Sequence, residues 1–287
     1  MPELPEVEIV KRSLEKTIKF KKIKQVFIKN KNLRFKIQKN IPKKLKNEKI
    51  LRIERKSKYL IVNLTKSKYL IIHFGMSGTL HLVKKNKKNI YTNLSFYNQQ
   101  KLPKKHNHVE IVFNRLKLIY NDPRRFGFIL LFSSKKEFLN FFKKLGLEPL
   151  DNKFNNKYLM SKIHHRKKKI KDILLDQSIV SGLGNIYVNE ILNYSRINPK
   201  KLGFKLGSYE IKLIVKYSKL VIKKAITKGG SSIRDFKNSK GQKGSYQNEF
   251  RAYNRNEKKC INRYCKGIIK RIFISNRSTF FCKKCQK

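Results

Sequence analysis

The spacing of apolar residues changes once along the chain, from the period of strands to the period of helices. Between about residues 23 and 132, short β-prone runs such as 59–62 and 109–112 are separated by Gly, Asn and Asp-Pro turn formers. From 135 to about 228, apolar residues recur at helical spacing. The chain of 287 residues is therefore expected to combine a β-rich part with a helical part.

One amphipathic helix is predicted before the β-rich part. Apolar residues share one face over 5–18, and Pro5 and Glu6 suit a first turn, where no N–H donor is needed and acidic groups are favoured. The β-rich part is then expected to form a sandwich or barrel that starts with this helix. Residues 84–107, rich in Lys and Asn, are predicted to form a long exposed loop, and 229–258, rich in Gly, Ser and Lys, a second loop.

The chain is strongly basic, with 71 Lys and Arg against 18 Asp and Glu and a net charge of +53. This charge favours a polyanionic partner, above all nucleic acid, because each neutralised phosphate releases a counterion. Lys, Asn and Ile, all abundant here, have A/T-rich codons, so a genome drifting in that direction would raise lysine without any function, and we assign part of the excess to this alternative. Hydrophobic residues form 39% of the chain, which argues against full disorder. Without a signal peptide or an apolar run of about 18 residues, we expect a soluble cytoplasmic monomer.

All four cysteines lie in the last 28 residues. Four residues separate Cys260 from Cys265, and two separate Cys282 from Cys285. Two close pairs can place four thiolates around one structural Zn²⁺, whose binding stabilises a module too small for a sufficient core. Free thiols or a redox site are the alternatives.

Between the cysteine pairs, residues 268–274 and 279–281 are predicted to form a β-hairpin with its tip at 275–278. Arg277 would then stand at the end of a rigid hairpin, where it suits bidentate contact with a phosphate. A solvated arginine with no partner is the alternative.

Pro2 becomes the first residue if Met1 is removed, which a small second residue usually permits. The terminal amine, with a pKa of about 7.7–8.0 against about 10.4 for lysine, is then available to attack an electrophilic carbon. Glu3 lies beside it as a proton donor or acceptor. Taken alone, this pair is more often an ordinary chain start.

Seven segments, in order and over nearly the whole chain, resemble those of the formamidopyrimidine-DNA glycosylases, a family of bacterial base-excision repair enzymes. They are 2–8 (PELPEVE), 58–60 (KYL), 73–78 (HFGMSG), 105–109 (KHNHV), 122–127 (DPRRFG), 182–187 (GLGNIY) and 279–287 (TFFCKKCQK).

The resemblance implies an α+β, multidomain fold. An N-terminal β-sandwich with one helix would span 1–133, and a helix–two-turns–helix domain would span 134–229. Residues 230–250 would form the loop that covers the flipped base, and 251–287 the zinc-finger hairpin.

The resemblance also implies the activity, that of a bifunctional DNA glycosylase and AP lyase. The enzyme would excise 8-oxoguanine and formamidopyrimidines from double-stranded DNA, after flipping the damaged base out of the stack. Pro2 would attack C1′ and form a Schiff base, and β- and δ-elimination would follow. Glu3 would assist at the ring oxygen, Glu6 would hold the sugar, and Lys58 would contact the lesion side and help to transfer protons.

Met76, Arg124 and Phe126 match the residues that fill the space left by the flipped base, with Arg124 bonding the orphaned cytosine. Without the resemblance, core packing would explain Met76 and Phe126 better.

Four further residues match DNA-contacting positions of the family. They are His106, Arg166, Asn185 and Arg277, and the last is counted among the catalytic residues as well. Asn185 could instead cap a helix after a glycine turn, and Arg166 is hard to align within a basic run at 166–169.

The chain departs from the family pattern in three ways. The first cysteine pair is spaced by four residues instead of the usual two, which puts the knuckle geometry in doubt. Residues 84–105 are longer than in well-known members. Asn107 stands where an acidic residue is common, and Asn254 where glycine is common.

Two other functions remain open. Endonuclease VIII-type enzymes remove oxidised pyrimidines with the same proline chemistry, but they usually have glycine in place of Leu4 and lack the arrangement of Arg124 and Phe126. A non-catalytic zinc-containing nucleic-acid-binding protein is the second alternative, and the presence of Pro2, Glu3 and Lys58 argues against it.

Overall fold

The computed structural model describes residues 2–84, 91–94, 104–231 and 244–287. These residues belong to two compact units. The first comprises Met1–Lys143 and Lys228–Ser245, and the second comprises Lys144–Thr227 and Tyr246–Lys287. Within the described ranges, none of the helices has the length and apolar character needed to cross a bilayer.

The first unit contains two antiparallel sheets and the N-terminal helix α1 (Leu4–Ile18). The five-stranded sheet has the order β1-β7-β8-β5-β6, and the four-stranded sheet has the order β2-β3-β4-β9. Their strands are β1 Gln25–Ile28, β2 Ile50–Lys56, β3 Tyr59–Leu64, β4 Lys68–His73, β5 Thr79–Lys84, β6 Tyr91–Leu94, β7 Asn107–Val112, β8 Leu116–Asn121 and β9 Phe128–Phe132. Apolar side chains from both sheets and from α1 pack into one core. The β-rich part is therefore a sandwich.

Two elements of this unit differ from the sequence prediction. The short helix α2 (Ile41–Leu45) was not predicted, because only its two end residues are buried and no helical period can be seen. Strand β6 lies inside the predicted loop 84–107 and pairs with β5, so that loop prediction was wrong at 91–94. The flanking residues 85–90 and 95–103 lie outside the described residues. Helix α3 (Lys135–Phe142) closes the unit's first segment.

The second unit consists of four helices and a C-terminal hairpin. The helices are α4 Asn156–Ile163, α5 Ile170–Leu175, α6 Asn185–Tyr194 and α7 Ser208–Thr227, and the hairpin strands are β10 Ile269–Ile274 and β11 Arg277–Cys282. Helix α4 was not predicted, although Asn155 marks its start by accepting a hydrogen bond from the main-chain N–H of Tyr158.

The hairpin turn is shorter than predicted. Ser275 and Asn276 have φ values of 47° and 58°, the left-handed conformation that a two-residue turn needs to match the strand twist. Arg277 is therefore the first residue of β11, paired with Ile274, and is not part of a four-residue tip.

Polar side chains of the helices anchor the hairpin. Lys171 is fully buried, and its Nζ donates to Thr279 Oγ1 at 2.6 Å and to the carbonyl oxygen of Ser278 at 3.1 Å. Asn189 Oδ1 accepts from the main-chain N–H of Phe280 at 2.7 Å. These contacts hold β11 against α5 and α6 at the residues that follow Arg277.

Candidate functional site

Pro2 and Glu3 lie buried directly before helix α1. The main-chain N–H of Glu3 donates to Glu6 Oε2 at 2.9 Å, and the Glu3 side chain accepts from the main-chain N–H of Glu6. This reciprocal capping satisfies donors that the first turn leaves free and places two carboxylates at its positive end. The start of the chain is thereby fixed on the helix.

The second oxygen of Glu6 binds a distant segment of the same unit. Glu6 Oε1 accepts from the main-chain N–H of Ser231 at 2.9 Å and from its Oγ at 3.0 Å. Gly230 precedes this contact with a φ of +83°, and a Cβ there would lie 3.1 Å from Glu6 Oε1. The beginning of the predicted lesion-covering loop 230–250 is thus attached to α1, while 232–243 lie outside the described residues.

Lys58 lies in the turn between β2 and β3, immediately before the strand in which it was predicted, and is 8% exposed. Arg55 joins this turn to helix α1. Its Nη1 donates to the carbonyl oxygen of Ser57 at 3.0 Å, and its Nε donates to Glu8 Oε2 at 3.0 Å. One guanidinium therefore links the turn that carries Lys58 to helix α1, which Glu3 caps.

His73, at the end of β4, is a site residue that the sequence analysis did not single out. Its ring stacks on Phe128 with centroids 4.9 Å apart, and its Nδ1 accepts from the main-chain N–H of Gly75 at 3.1 Å. Burial, with the nearby positive charges of Lys58 and Arg34, lowers the pKa of His73 to about 4. The imidazole is therefore neutral at neutral pH.

Met76, Arg124 and Phe126 lie on two adjacent loops of the first unit. Met76 is 40% exposed and Phe126 is 44% exposed, which excludes the core packing that their residue types alone suggest. The guanidinium carbon of Arg124 lies 4.6 Å from the centre of the Phe126 ring. A Cβ at Gly75 would lie 2.3 Å from the carbonyl carbon of Phe126, so the two loops touch backbone to backbone.

His106 ends a short 3-10 turn and is half-buried. Partial burial and the neighbouring charge of Lys105 lower the pKa of His106. The next residue, Asn107, is buried, and its Oδ1 accepts from Asn121 Nδ2 at 2.8 Å. An amide pair thus takes the place where an acidic residue is common in the resembled family.

Asn185 and Arg277 converge on the hairpin of the second unit. Asn185 is the first residue of α6 after the N-cap Gly184, and its Nδ2 donates to the carbonyl oxygen of Ser278 at 2.9 Å. The amide therefore binds the hairpin beside the exposed Arg277 and does not cap the helix. One nitrogen of Arg166 already has a partner within the protein, because its Nε donates to a main-chain oxygen of α4 at 2.8 Å.

The four cysteine sulfurs lie within 4.8 Å of one another. Cys260 Sγ is 3.7 Å from Cys285 Sγ, and Cys265 Sγ is 3.6 Å from Cys282 Sγ. Tetrahedral bonds of about 2.3 Å to a zinc ion require sulfur–sulfur distances of roughly 3.8 Å. Four free thiols with this spacing fit a metal site with no open position.

The longer spacing of the first cysteine pair does not prevent this convergence. The extra residues form a turn in which the main-chain N–H of Cys265 donates to the carbonyl oxygen of Asn262 at 2.9 Å and Tyr264 has a φ of 63°. Asn262 Nδ2 also donates to Cys285 Sγ at 3.3 Å.

Comparison with known proteins decides the family. The model of the formamidopyrimidine-DNA glycosylase N-terminal domain matches residues 1–129, and that of its H2TH domain matches 145–237. Proteins named formamidopyrimidine-DNA glycosylase from Rickettsia bellii (strain OSU 85-389) and Wolbachia pipientis subsp. Culex pipiens (strain wPip) are 39% and 40% identical, with 100% of each chain covered. The chain belongs to the formamidopyrimidine-DNA glycosylase family.

Solved structures of the formamidopyrimidine-DNA glycosylase family have the same fold. A variant of the Lactococcus lactis protein, in complex with Fapy-dG-containing DNA, is 35% identical with a TM-score of 0.88, and 100% of both chains is covered. The Lactococcus lactis protein with abasic-site DNA has a TM-score of 0.87 at 35% identity, with 99% of both chains covered. The predicted resemblance and fold class are confirmed.

The Arg55 link predicts how the stability of this glycosylase family member depends on pH. Burial alone would raise the pKa of Glu8, but hydrogen bonds from Arg12 and Arg55 outweigh it and lower the pKa. A lowered carboxyl pKa stabilises the folded state above the unfolded value of about 4.3, and this contribution is lost as the pH falls through the folded value.

Glu8→Gln should therefore lower the free energy of unfolding at pH 7 by roughly 1–2 kcal/mol, the order of charge-assisted hydrogen bonds. The difference from wild type should shrink as the pH falls below the unfolded value of about 4.3 and through the lowered pKa of Glu8 in the folded state, because the carboxyl then becomes protonated in both states. Urea unfolding at several pH values measures it. Glu15→Gln on the same helix, in a surface pair with Lys11, is the control and should change little. A loss that does not vary with pH would contradict the prediction.

Proposed function

We propose that this chain is a bifunctional DNA glycosylase and AP lyase that excises 8-oxoguanine and formamidopyrimidines from double-stranded DNA. The observation that carries the proposal is the match, over 100% of the chain at 39% identity, to a relative named formamidopyrimidine-DNA glycosylase. Lactococcus lactis relatives bound to Fapy-dG-containing and abasic-site DNA support the same substrate class. The charge of +53 fits a polyanionic partner.

The reaction starts at Pro2 after Met1 has been removed. The Pro2 nitrogen attacks C1′ of the damaged nucleotide while the bond from C1′ to the base breaks, and the base leaves with a proton. Opening of the sugar ring gives an iminium between Pro2 and C1′. Glu3 moves the proton at the ring oxygen, and its position at the helix start, next to Pro2, supports this role.

Elimination follows from the iminium, which acidifies the neighbouring C2′–H. Loss of that proton breaks the bond from C3′ to its phosphate oxygen, and a second elimination breaks the bond at C5′. Water then hydrolyses the iminium and releases Pro2. Lys58, in the turn between β2 and β3, assists proton transfer, and Glu6 holds the sugar of the damaged nucleotide.

The exposed side chains of Met76 and Phe126 fill the space that the flipped base leaves, since apolar wedges stabilise unstacked steps. Arg124 bonds the orphaned cytosine, and its stacking on Phe126 directs the guanidinium to the same place. His106 contacts the DNA backbone from the first unit.

In the second unit, Asn185 and Arg277 contact phosphate, and their common neighbour Ser278 supports a joint role. Arg166 adds a weaker contact, because one of its nitrogens is already bound to α4.

Cys260, Cys265, Cys282 and Cys285 hold one structural Zn²⁺. The ion supplies folding free energy to a short segment with a small apolar cluster and takes no part in the chemistry. Its ligands include the last residue of β11, so metal binding also fixes the strand that begins at Arg277.

Borohydride trapping tests the main proposal. On a duplex with 8-oxoguanine opposite cytosine, the wild-type protein should form a covalent adduct, and mass spectrometry of its peptides should locate the DNA on Pro2. Pro2→Thr should lose most of the adduct, whereas Pro5→Ala, in the first turn of α1, should keep it.

An adduct on an internal lysine would contradict the proposal. Better trapping on oxidised pyrimidines would favour the endonuclease VIII type, and the absence of any adduct would favour a non-catalytic binder.

The salt dependence of binding tests Arg277. Arg277→Ala should weaken binding to all sequences and reduce the slope of log K against log salt by about 1, because one phosphate contact is lost. Arg263→Ala is the matched control, since it removes the same charge from an exposed arginine that stacks on Tyr264. Equal slopes for the two variants would count against a phosphate contact.

Removal of the metal tests the cysteine site. A strong chelator should release about one equivalent of zinc, expose the four thiols to thiol reagents, make 260–287 sensitive to protease and abolish cleavage of DNA. Zinc added back should restore all four readouts. A metal-free preparation with protected thiols and full activity would show that the cysteines have another role.

A further inference from the structure

A buried carboxylate joins the two loops that carry Met76, Arg124 and Phe126, the side chains proposed to fill the space left by the flipped base. Asp122, directly after β8, is completely buried. Its Oδ1 accepts from Ser77 Oγ, and its Oδ2 accepts from the main-chain N–H of Gly127 at 2.8 Å and from Tyr120 Oη at 3.3 Å. The loop 74–78 and both ends of the loop 122–127 therefore meet at one side chain.

Ser77 extends this contact to Arg124. The Ser77 hydroxyl donates its proton to Asp122 and accepts from the main-chain N–H of Arg124 at 3.1 Å. Ser77 is 8% exposed, so both hydrogen bonds lie in a poorly solvated environment, where they are strong and where an unpaired group is costly. The main chain of Arg124 is thereby attached to Asp122 through one hydroxyl.

The surrounding backbone leaves little room for other arrangements. A Cβ at Gly127 would lie 1.9 Å from Tyr120 Oη, and a Cβ at Gly78 would lie 2.7 Å from the same oxygen. The ring of His108 also contacts the carbonyl oxygen of Asp122, with Nε2 at 2.7 Å. The carboxylate is held from several sides, so the loop positions depend on it.

We propose that Asp122 and Ser77 are positioning residues that set the preference for cytosine opposite the lesion. This inference rests on the proposed function, in which Arg124 bonds the orphaned cytosine. Recognition of a base edge requires a donor placed to within about 0.5 Å. The exposed side chain of Arg124 is long and flexible, so its placement depends on where Ser77 holds its main chain.

The test compares binding to duplexes that carry a tetrahydrofuran abasic analogue opposite cytosine or opposite adenine. Ser77→Ala should reduce the preference for cytosine by roughly two- to tenfold, the effect of one lost hydrogen bond. Borohydride trapping at a preformed abasic site should stay within about twofold of wild type, because Pro2, Glu3 and Lys58 are unchanged. Ser77→Thr keeps the hydroxyl and should keep the preference.

Asp122→Asn should have a larger effect, because an amide group would face hydrogen-bond donors. Glu48→Gln is its control. Glu48 is a buried carboxylate of the same unit, 4% exposed, that accepts from Lys68 and Thr65. This variant should lose stability and keep the preference for cytosine. If Asp122→Asn does not fold, the comparison of Ser77→Ala with Ser77→Thr tests the inference.

The inference is overturned if folded Ser77→Ala keeps the wild-type preference, or if Glu48→Gln loses the preference to the same extent. These outcomes are separate from failure of the proposed function. A wild-type protein that forms no borohydride adduct contradicts the glycosylase proposal. If the wild-type protein forms the adduct and Ser77→Ala keeps the wild-type preference for cytosine, only the positioning role is overturned.

Discussion

The reciprocal hydrogen bonds between Glu3 and Glu6 are the constraint on which the proposed chemistry depends. Chain termini are usually mobile, whereas a nucleophile at the first residue must be held still. The capping bonds fix Glu3 on α1, and the other oxygen of Glu6 binds Ser231. Because both oxygens of one buried carboxylate are used, the helix start and the 228–231 segment keep one relative position. Arg55 attaches the turn that carries Lys58 to the same helix, because it donates to both Ser57 and Glu8.

The C-terminal hairpin of the second unit meets a similar requirement with a small apolar cluster. Buried polar contacts add to this cluster and hold the hairpin on the helices. Burial lowers the pKa of Lys171 to about 8. The buried amine still has hydrogen-bond partners, because it donates to Thr279 and to the carbonyl oxygen of Ser278. Glu190 accepts three main-chain N–H bonds from residues 251–253, which precede Cys260 in the same unit. A small module is thus positioned by buried polar groups, and the position of Arg277 follows from them.

The sequence predicted what depends on local pattern. Most sandwich strands, five of the seven α-helices in the described residues and the cysteine module follow from periodicity and spacing, and the family motifs identify the candidate residues. Helices α2 and α4 and strand β6 were missed because such short elements hold too few apolar residues to show a clear period. Arg55, His73, Ser77 and Asp122 could not be paired from sequence, since the bonds from Arg55 to Glu8 and from Ser77 to Asp122 join residues 47 and 45 positions apart. Asn254 was a departure from glycine, but its φ of 58° lies in the left-handed region that Asn tolerates.

The net charge supports the proposed function less strongly than the positions of the chain's few acidic side chains do. Among the described residues, six of the chain's 18 acidic side chains are buried, and they include Glu3, Glu6, Asp122 and Glu190. These four accept hydrogen bonds from buried donors, which loss of the carboxylate would leave unpaired at a cost of about 1–3 kcal/mol each. Drift toward lysine can proceed on a solvated surface, where substitutions cost little. It cannot replace these acceptors, so they report the constraints of fold and site more directly than the surface lysines do.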